Sequence, residues 1–481
     1  MSTDHEVRRL ALSCLLLGFV GPTPPGWLLD ALAEGLGGVV LFGSNLGDGR
    51  RAGELTRRLR DAAGRDIVVA IDEEGGDVTR LDAAHGSLSP GAAALGHLDD
   101  VRATEDIYAA IGGRLADAGV TLDLAPVADV NSDPRNPVIG VRSFGADPHL
   151  VARHVAAAVR GVQSQGVAAC AKHFPGHGAT TADSHHEVAR VEGRRLDLDE
   201  VELPPFVAAI TAGARAVMTG HLLVPALDTE VPATVSMAIT TGLLRDDLSF
   251  AGTVVTDALE MRAIADTIGM ERGFVDALRA GADAIETGAQ DYPRLVTAIP
   301  DAVERAVDRG ALTIDRLRDA ADRTAMLASR GARLPVPASD GVAARCLEVL
   351  GSIPGVRRPV VVEARPPGGM ASGEMPWSLA EPLASRVDGV EACPVRTEVD
   401  VEDAVERVGE RTLVVVLRDP LRHPWQRELL ESAGRHPSAV VVDVGWPTEL
   451  AEGAPTIRTR GISPGLLAAA ADVLATGRMA P

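Results

Sequence analysis

Val167-Ala168-Ala169-Cys170-Ala171-Lys172-His173-Phe174-Pro175-Gly176-His177-Gly178 is an apolar run that ends in charge and then turns. Small and β-branched residues suit a buried strand, Lys172 and His173 close it, and Pro175, Gly176 and Gly178 punctuate the backbone after it. The same pattern recurs along the chain. Gly37–Phe42, Ile67–Ile71, Val120–Pro126, Ala216–His221, Thr253–Asp257 and Ala282–Thr287 are short apolar runs of the same kind. Amphipathic stretches separate them: Arg51–Ala63, Val101–Ala118, Pro148–Gln165, Leu203–Ala212 and Met261–Ala280. Strand alternating with helix predicts parallel β-α units. With Leu10–Val20 taken as a first buried segment, about eight strand candidates precede residue 290, which predicts a (β/α)8 TIM-like barrel. An open doubly wound sheet would need a glycine-rich phosphate loop after an early strand, and no G-x-G-x-x-G stands there.

Asp301–Arg309 and Ile314–Ser329 read as charged helices, and residues 331–341, with two prolines and two glycines, read as a linker. Beyond it a second alternation begins, with strands at Arg358–Ala364, Gly389–Val395, Thr412–Leu417, Ala439–Val444 and Thr456–Arg460. Helices at Asp400–Val408, Trp425–Arg435 and Leu466–Thr476 lie between or after them, a pattern that predicts a smaller α/β/α sandwich. The expected organisation is therefore a catalytic barrel over residues 1–330, the linker over 331–341 and the sandwich domain over 342–481.

Bulk properties exclude several function classes. The net charge of −20 argues against nucleic acid or an anionic membrane as partner. The four cysteines form no CxxC pair, which argues against a disulfide scaffold or a structural zinc site. No apolar run is long enough to span a membrane. Arg8-Arg9 before Leu10–Val20 imitates a signal peptide, but Asp4 and Glu6 precede it and no Ala-x-Ala follows, so a cytoplasmic protein is expected. A monomer is the expectation for oligomeric state.

Charged residues crowd the ends of successive strand candidates: Asp72 after Ile71, Asp129 after Val120–Pro126, Lys172 and His173, His221, and Asp257. In a barrel these ends form one face, so the groups converge. Lys172 is the only lysine among 47 basic residues, which suggests a place where a compact ammonium does what a guanidinium cannot. Asp72, Arg80, Arg142, Lys172 and His173 together offer many hydrogen bonds and little apolar surface, which suits a polyol such as a sugar, with an anionic ligand as the competing reading. Asp257 is placed to act as nucleophile or base. Asp183 and His185 are spaced to form an orienting carboxylate–imidazole pair, yet no G-x-S-x-G supplies a serine for it. A metal site from His173, His177, His185 and His186 matches no standard zinc spacing, and no cofactor is expected.

Lys172-His173-Phe174-Pro175-Gly176-His177-Gly178 followed by Asp183-Ser184-His185 resembles the signature of bacterial β-N-acetylglucosaminidases of glycoside hydrolase family 3. Asp72-Glu73-Glu74-Gly75-Gly76 with Arg80, the Arg142-Ser143-Phe144-Gly145 segment and Val255-Thr256-Asp257-Ala258-Leu259-Glu260-Met261 are similar to that family's other motifs. The resemblance spans residues 8–330. It implies that Asp257 is the nucleophile of a glycosyl-enzyme intermediate, that His185 is the general acid/base with Asp183 as its orienting partner, and that Asp72, Arg80, Arg142, Lys172 and His173 hold the N-acetylglucosamine ring. It further implies a retaining exo-enzyme acting on cell-wall (muropeptide) fragments, a small-molecule carbohydrate substrate. A neutral imidazole tolerates an incoming anion better than a carboxylate does, so phosphorolysis is the rival within enzymes. A non-catalytic sugar-binding protein on the same fold is the rival outside them. Asp77 departs from the family pattern, where a basic or neutral residue is expected.

Overall fold

The computed structural model describes residues 3–47, 51–180, 189–339, 341–368, 373, 375–447 and 454–479. Eight parallel strands form the first sheet: β1 (Leu15–Leu17), β2 (Gly38–Leu41), β3 (Val68–Ile71), β4 (Leu122–Asp123), β5 (Ala168–Phe174), β6 (Ala216–Thr219), β7 (Thr253–Thr256) and β8 (Ile285–Glu286). They run side by side in the order β7-β6-β5-β4-β3-β2-β1-β8. A parallel bridge between Val255 and Ala284 joins the two ends, so the sheet is a TIM-like barrel.

Two cores follow from the alternation of side chains along each strand. Leu16, Val40, Ala70, Leu122, Cys170, Met218, Val255 and Ala284 point inward and fill the barrel, and Leu327 and Ala328 close its floor. The outward residues, among them Leu15, Val39, Val69, Ala169, Val217 and Val254, pack under the surrounding helices. Those helices start where their sequences permit. Asp100 accepts from the backbone N–H groups of Arg102 and Ala103 at the head of Val101–Asp117. Asp147 does the same for His149 and Leu150 before Pro148–Gln163, whose first residue is the proline that tolerates that position.

Two expectations change at the element level. Leu10–Val20 is not one strand segment: helix Thr3–Ser13 runs into it and only Leu15–Leu17 is extended. Val7, Ala11 and Cys14 are buried at helical spacing, while Arg8 reaches out to Asp301 and Glu304, so the period at the start is that of a helix. Met261–Ala280 is two helices, Arg262–Ala265 and Met270–Ala280, because Gly269 at φ +81° turns the chain between them.

The second sheet has six strands: β9 (Glu348–Leu350), β10 (Val360–Ala364), β11 (Glu391–Val395), β12 (Leu413–Leu417), β13 (Ala439–Asp443) and β14 (Thr456–Arg458), in the order β11-β10-β12-β13-β14-β9. All pairings are parallel except the edge strand β9, which runs antiparallel to β14. Val360, Val362, Val415 and Val441 face helices Val401–Glu406 and Trp425–Arg435. Val361, Val414 and Val442 face Ala380–Ala384 and Pro464–Thr476 in a core continuous with that of the barrel. The result is an α/β/α sandwich. Among the described residues no helix is long and apolar enough to cross a membrane.

Candidate active site

Side-chain parity brings the chemistry together. Two residues beyond the inward-facing Ala70, Cys170, Val255 and Ala284 stand Asp72, Lys172, Asp257 and Glu286. Strand alternation sends each of them inward above the apolar layer. All four line a pocket of about 550 Å³ at the C-terminal end of the barrel, with Arg80, Arg142, His173 and His177 around them. That volume is within the usual range for a small-molecule site.

The Asp72-Glu73-Glu74 triplet sorts itself by the same alternation. Asp72 accepts from the Lys172 ammonium at 2.6 Å and lies 3.5 Å from the Arg80 guanidinium. Glu73 turns away and accepts from the backbone N–H groups of Arg80 and Leu81 at 2.8 and 3.0 Å, which fixes the loop that carries Arg80. Glu74 turns back and takes a bidentate pair from Arg142 at 2.7 and 2.9 Å, with Lys172 at 2.7 Å. Burial alone would push both carboxyls up, but Lys172 and Arg80 hold Asp72 below the usual carboxylate range, and Arg142 and Lys172 hold Glu74 far below it. The same partners raise Lys172 against its own burial, so it stays an ammonium. A guanidinium could not place one point charge between two carboxylates this way, which accounts for the one lysine in the chain.

Asp129, after β4, organises the next strand. It accepts from the His173 backbone N–H at 3.1 Å, from His177 N–H at 2.8 Å, and lies 2.8 Å from His173 Nδ1. With Nδ1 turned to Asp129, Nε2 is the ring nitrogen that His173 presents toward the pocket. His177 sits 2.6 Å from Thr180 Oγ1, and burial lowers it to about 4, so it is neutral. Asn136 donates to the carbonyls of His177 and Gly178 at 2.8 and 3.1 Å and so ties the Arg142 loop to this turn. Gly178 is required there, because a Cβ would meet the Val130 carbonyl oxygen at 1.7 Å.

Asp257 follows β7, half-buried, and one of its oxygens accepts from the Ala258 backbone N–H at 2.8 Å. Asp72, Arg80, Arg142, Lys172, His173 and Asp257 thus share one pocket. Asp183 and His185 lie outside the described residues. Gly373 and Met375, from the segment after β10, also line the pocket, so the second sheet's part of the chain reaches the site. Asp77 does not line it: it pairs with Arg418 at 2.8 Å and accepts from the Ile462 backbone N–H at 3.0 Å. Its departure from the family pattern is therefore a contact between the barrel and the sandwich. Among the described residues no cluster of three or more His, Cys, Asp and Glu is placed to hold a metal ion.

Sequence reasoning assigned no role to Glu74, Asp129 or Glu286. Glu74 and Asp129 were present in quoted strand-end motifs, but their partners lie 68 and 44 residues away and only the fold joins them. Glu286 was legible by parity, since it stands to Ala284 as Asp257 stands to Val255.

Residues 30–327 match the model of the glycosyl hydrolase family 3 N-terminal domain. The whole fold superposes on a glycoside hydrolase family 3 β-N-acetylglucosaminidase from Paenibacillus sp. str. FPU-7 with a TM-score of 0.89 at 31% identity, covering 98% of this chain and 97% of that one. The sequence is 37% identical over 279 residues to a β-hexosaminidase of Xylella fastidiosa (strain M23), across 56% of this chain and 82% of that protein. It is 36% identical over 269 residues to β-hexosaminidase A of Pseudoalteromonas piscicida, across 52% of this chain and 45% of that protein, less than half its length.

Proposed function

The chain belongs to glycosyl hydrolase family 3, and from that premise we propose that it is an exo-β-N-acetylglucosaminidase that works with retention through a glycosyl-enzyme intermediate on Asp257. The observation that carries the reading is the placement of Asp257 in one pocket with the Asp72–Lys172–Glu74–Arg142 ion network. Asp72, Arg80, Arg142, Lys172 and His173 grip the hydroxyls and ring substituents of a terminal sugar. The Asp257 carboxylate then attacks the anomeric carbon from one side, while the bond to the leaving oxygen breaks on the other.

His185 gives that oxygen its proton, with Asp183 holding the imidazole in orientation. A water enters, His185 takes its proton, and the resulting hydroxide equivalent attacks the anomeric carbon and frees Asp257. Two inversions leave the β configuration in place. The fixed charges do not rearrange between steps, since Lys172 and Arg142 are already paired, so the pocket is set before the sugar arrives. Muropeptide fragments of the bacterial cell wall are the proposed source of the substrate, as in the family subgroup that the sequence resembles.

A panel of nitrophenyl glycosides assayed with and without phosphate tests this. Release from the β-N-acetylglucosaminide alone, at a rate indifferent to phosphate and with free N-acetylglucosamine as product, is expected. A sugar phosphate as the product would replace hydrolysis by phosphorolysis, and release from a β-glucoside instead would overturn the substrate assignment.

A further inference from the structure

Glu286 has no part in the mechanism above, and its surroundings differ from those of the other carboxyls in the pocket. It ends β8, next around the barrel from the strand that carries Asp257, and faces inward two residues beyond Ala284. It is 6% exposed and lines the pocket. The pocket holds four carboxyls, Asp72, Glu74, Asp257 and Glu286, against three permanent cations, Arg80, Arg142 and Lys172. Those cations are committed to Asp72 and Glu74. Glu286 Oε2 is sealed from solvent and has no hydrogen-bond partner among the described residues.

The groups facing Glu286 are Asp72 from the end of β3, Asp257 from the end of β7, Glu260 just beyond it, and Lys172 from β5. Burial first, then the negative charges of Asp72 and Asp257, push its carboxyl well above the usual range, and Lys172 offsets only part of this. A carboxyl that holds its proton is a hydrogen-bond donor as well as an acceptor. Oε2 is sealed, so the oxygen that a ligand can reach is Oε1, and a neutral carboxyl can present its proton there to an acceptor that enters the pocket.

Resting on the reading of this pocket as a sugar site, we propose that Glu286 is a further specificity-determining residue, which donates a hydrogen bond to an oxygen of the bound glycone. It adds an uncharged donor among the ions of the pocket. The ionic balance is closed without it, since Asp72, Glu74 and Asp257 face Arg80, Arg142 and Lys172, so a glycone bearing its own carboxylate would be a fourth anion with no spare cation. Neutral N-acetylhexosamine is accepted.

The test is calorimetric titration of the full-length protein with N-acetylglucosamine, from mildly acidic to alkaline pH, for the wild type, Glu286→Gln and Glu286→Ala. Gln keeps a donor and cannot ionise. Wild-type affinity should fall as alkaline pH removes the proton, Glu286→Gln should bind within about 3-fold of wild type at neutral pH with no such fall, and Glu286→Ala should bind about 10-fold more weakly, the loss of one hydrogen bond. Thermal melts verify that each variant is folded; neither substitution removes a partner from another group, so neither should lower the melting temperature. Equal binding by Glu286→Ala and wild type, or a Glu286→Gln loss as large as that of Glu286→Ala, overturns the proposal. Because the readout is binding, a wild type that binds the sugar without hydrolysing it refutes the proposed catalysis and leaves this inference standing, whereas a wild type that does not bind the sugar refutes both.

Discussion

Lys172→Met removes the charge at the centre of the site and keeps the length of the side chain. The ammonium lies 2.6 Å from Asp72 and 2.7 Å from Glu74, with only 3% of its side chain exposed. Breaking a buried pair by removing one partner costs about 3–5 kcal/mol, because the other partner is left charged and dry. Here Arg142 still holds Glu74 with two bonds and Arg80 remains 3.5 Å from Asp72, so the lower end applies, about 3 kcal/mol. For a barrel of this size that corresponds to a fall in melting temperature of about 4 °C.

The sign of the pH dependence follows from the same pairs. Asp72 and Glu74 are depressed in the fold, so their contribution is present above the unfolded carboxylate range and is lost as pH falls below that range through their depressed folded values. Lys172 is raised, so its contribution is present below its unfolded value and is lost only as strongly alkaline pH is reached. The gap between wild type and Lys172→Met should therefore be widest near neutrality and close in acid. Catalysis should suffer too, since Asp72 loses the group that aims it; a fall in kcat/KM of about 100-fold, or about 2.7 kcal/mol, is expected on a nitrophenyl N-acetylglucosaminide. Lys172→Arg keeps the charge but not its geometry, and should lose activity with a smaller fall in melting temperature. A Lys172→Met protein that melts within about 1 °C of wild type and keeps its activity within about 2-fold would refute the reasoning.

Four further outcomes are expected. Asp257→Asn should abolish turnover while leaving the fold intact, and His185→Ala should lose far more activity on a poor leaving group than on an activated one, because only the former needs a proton; equal losses on both would remove His185 from the acid role. Arg418→Ala should strand the buried Asp77 carboxylate at the contact between barrel and sandwich and lower stability by about 3 kcal/mol, measurable by denaturant unfolding, whereas an unchanged midpoint would show that the pair contributes nothing. Burial and Asp129 raise Glu202 to about 8, so the stability it supports is full below the unfolded carboxylate value and is lost as pH rises through about 8. Glu202→Gln should thus be more stable than wild type at alkaline pH, by an upper bound of about 5 kcal/mol, and a melt that shows no gain there would contradict the burial argument.

The barrel was readable because its strands are short apolar runs with polar ends, and nothing else in the chain competes with that pattern. The N-terminal helix is hard to read because Leu10–Val20 is nearly all apolar, so the helical period shows only when Ala11 is set beside Val7, which precedes the run. Strand β9 was not foreseen, since three residues beginning at Glu348 on a sheet edge carry little hydrophobic signal. At the site, motif residues such as Asp72, Lys172 and Asp257 were legible because each ends a strand. The pairing of Lys172 with two carboxylates from another strand was not, because sequence carries no distance between residues that are about a hundred positions apart. Asp77 shows the opposite case: it stands out as a departure inside a motif, yet its partner is Arg418 in the sandwich and it does not line the pocket.

The central claim is that Asp257 forms a covalent bond to the sugar. Incubation with a fluorinated N-acetylglucosaminyl fluoride, which forms the glycosyl-enzyme faster than water can release it, followed by proteolysis and mass mapping, tests this most directly. A single labelled peptide with the sugar on Asp257, absent in Asp257→Asn, is the predicted result. Label on another residue, or inactivation with no label anywhere, would contradict it.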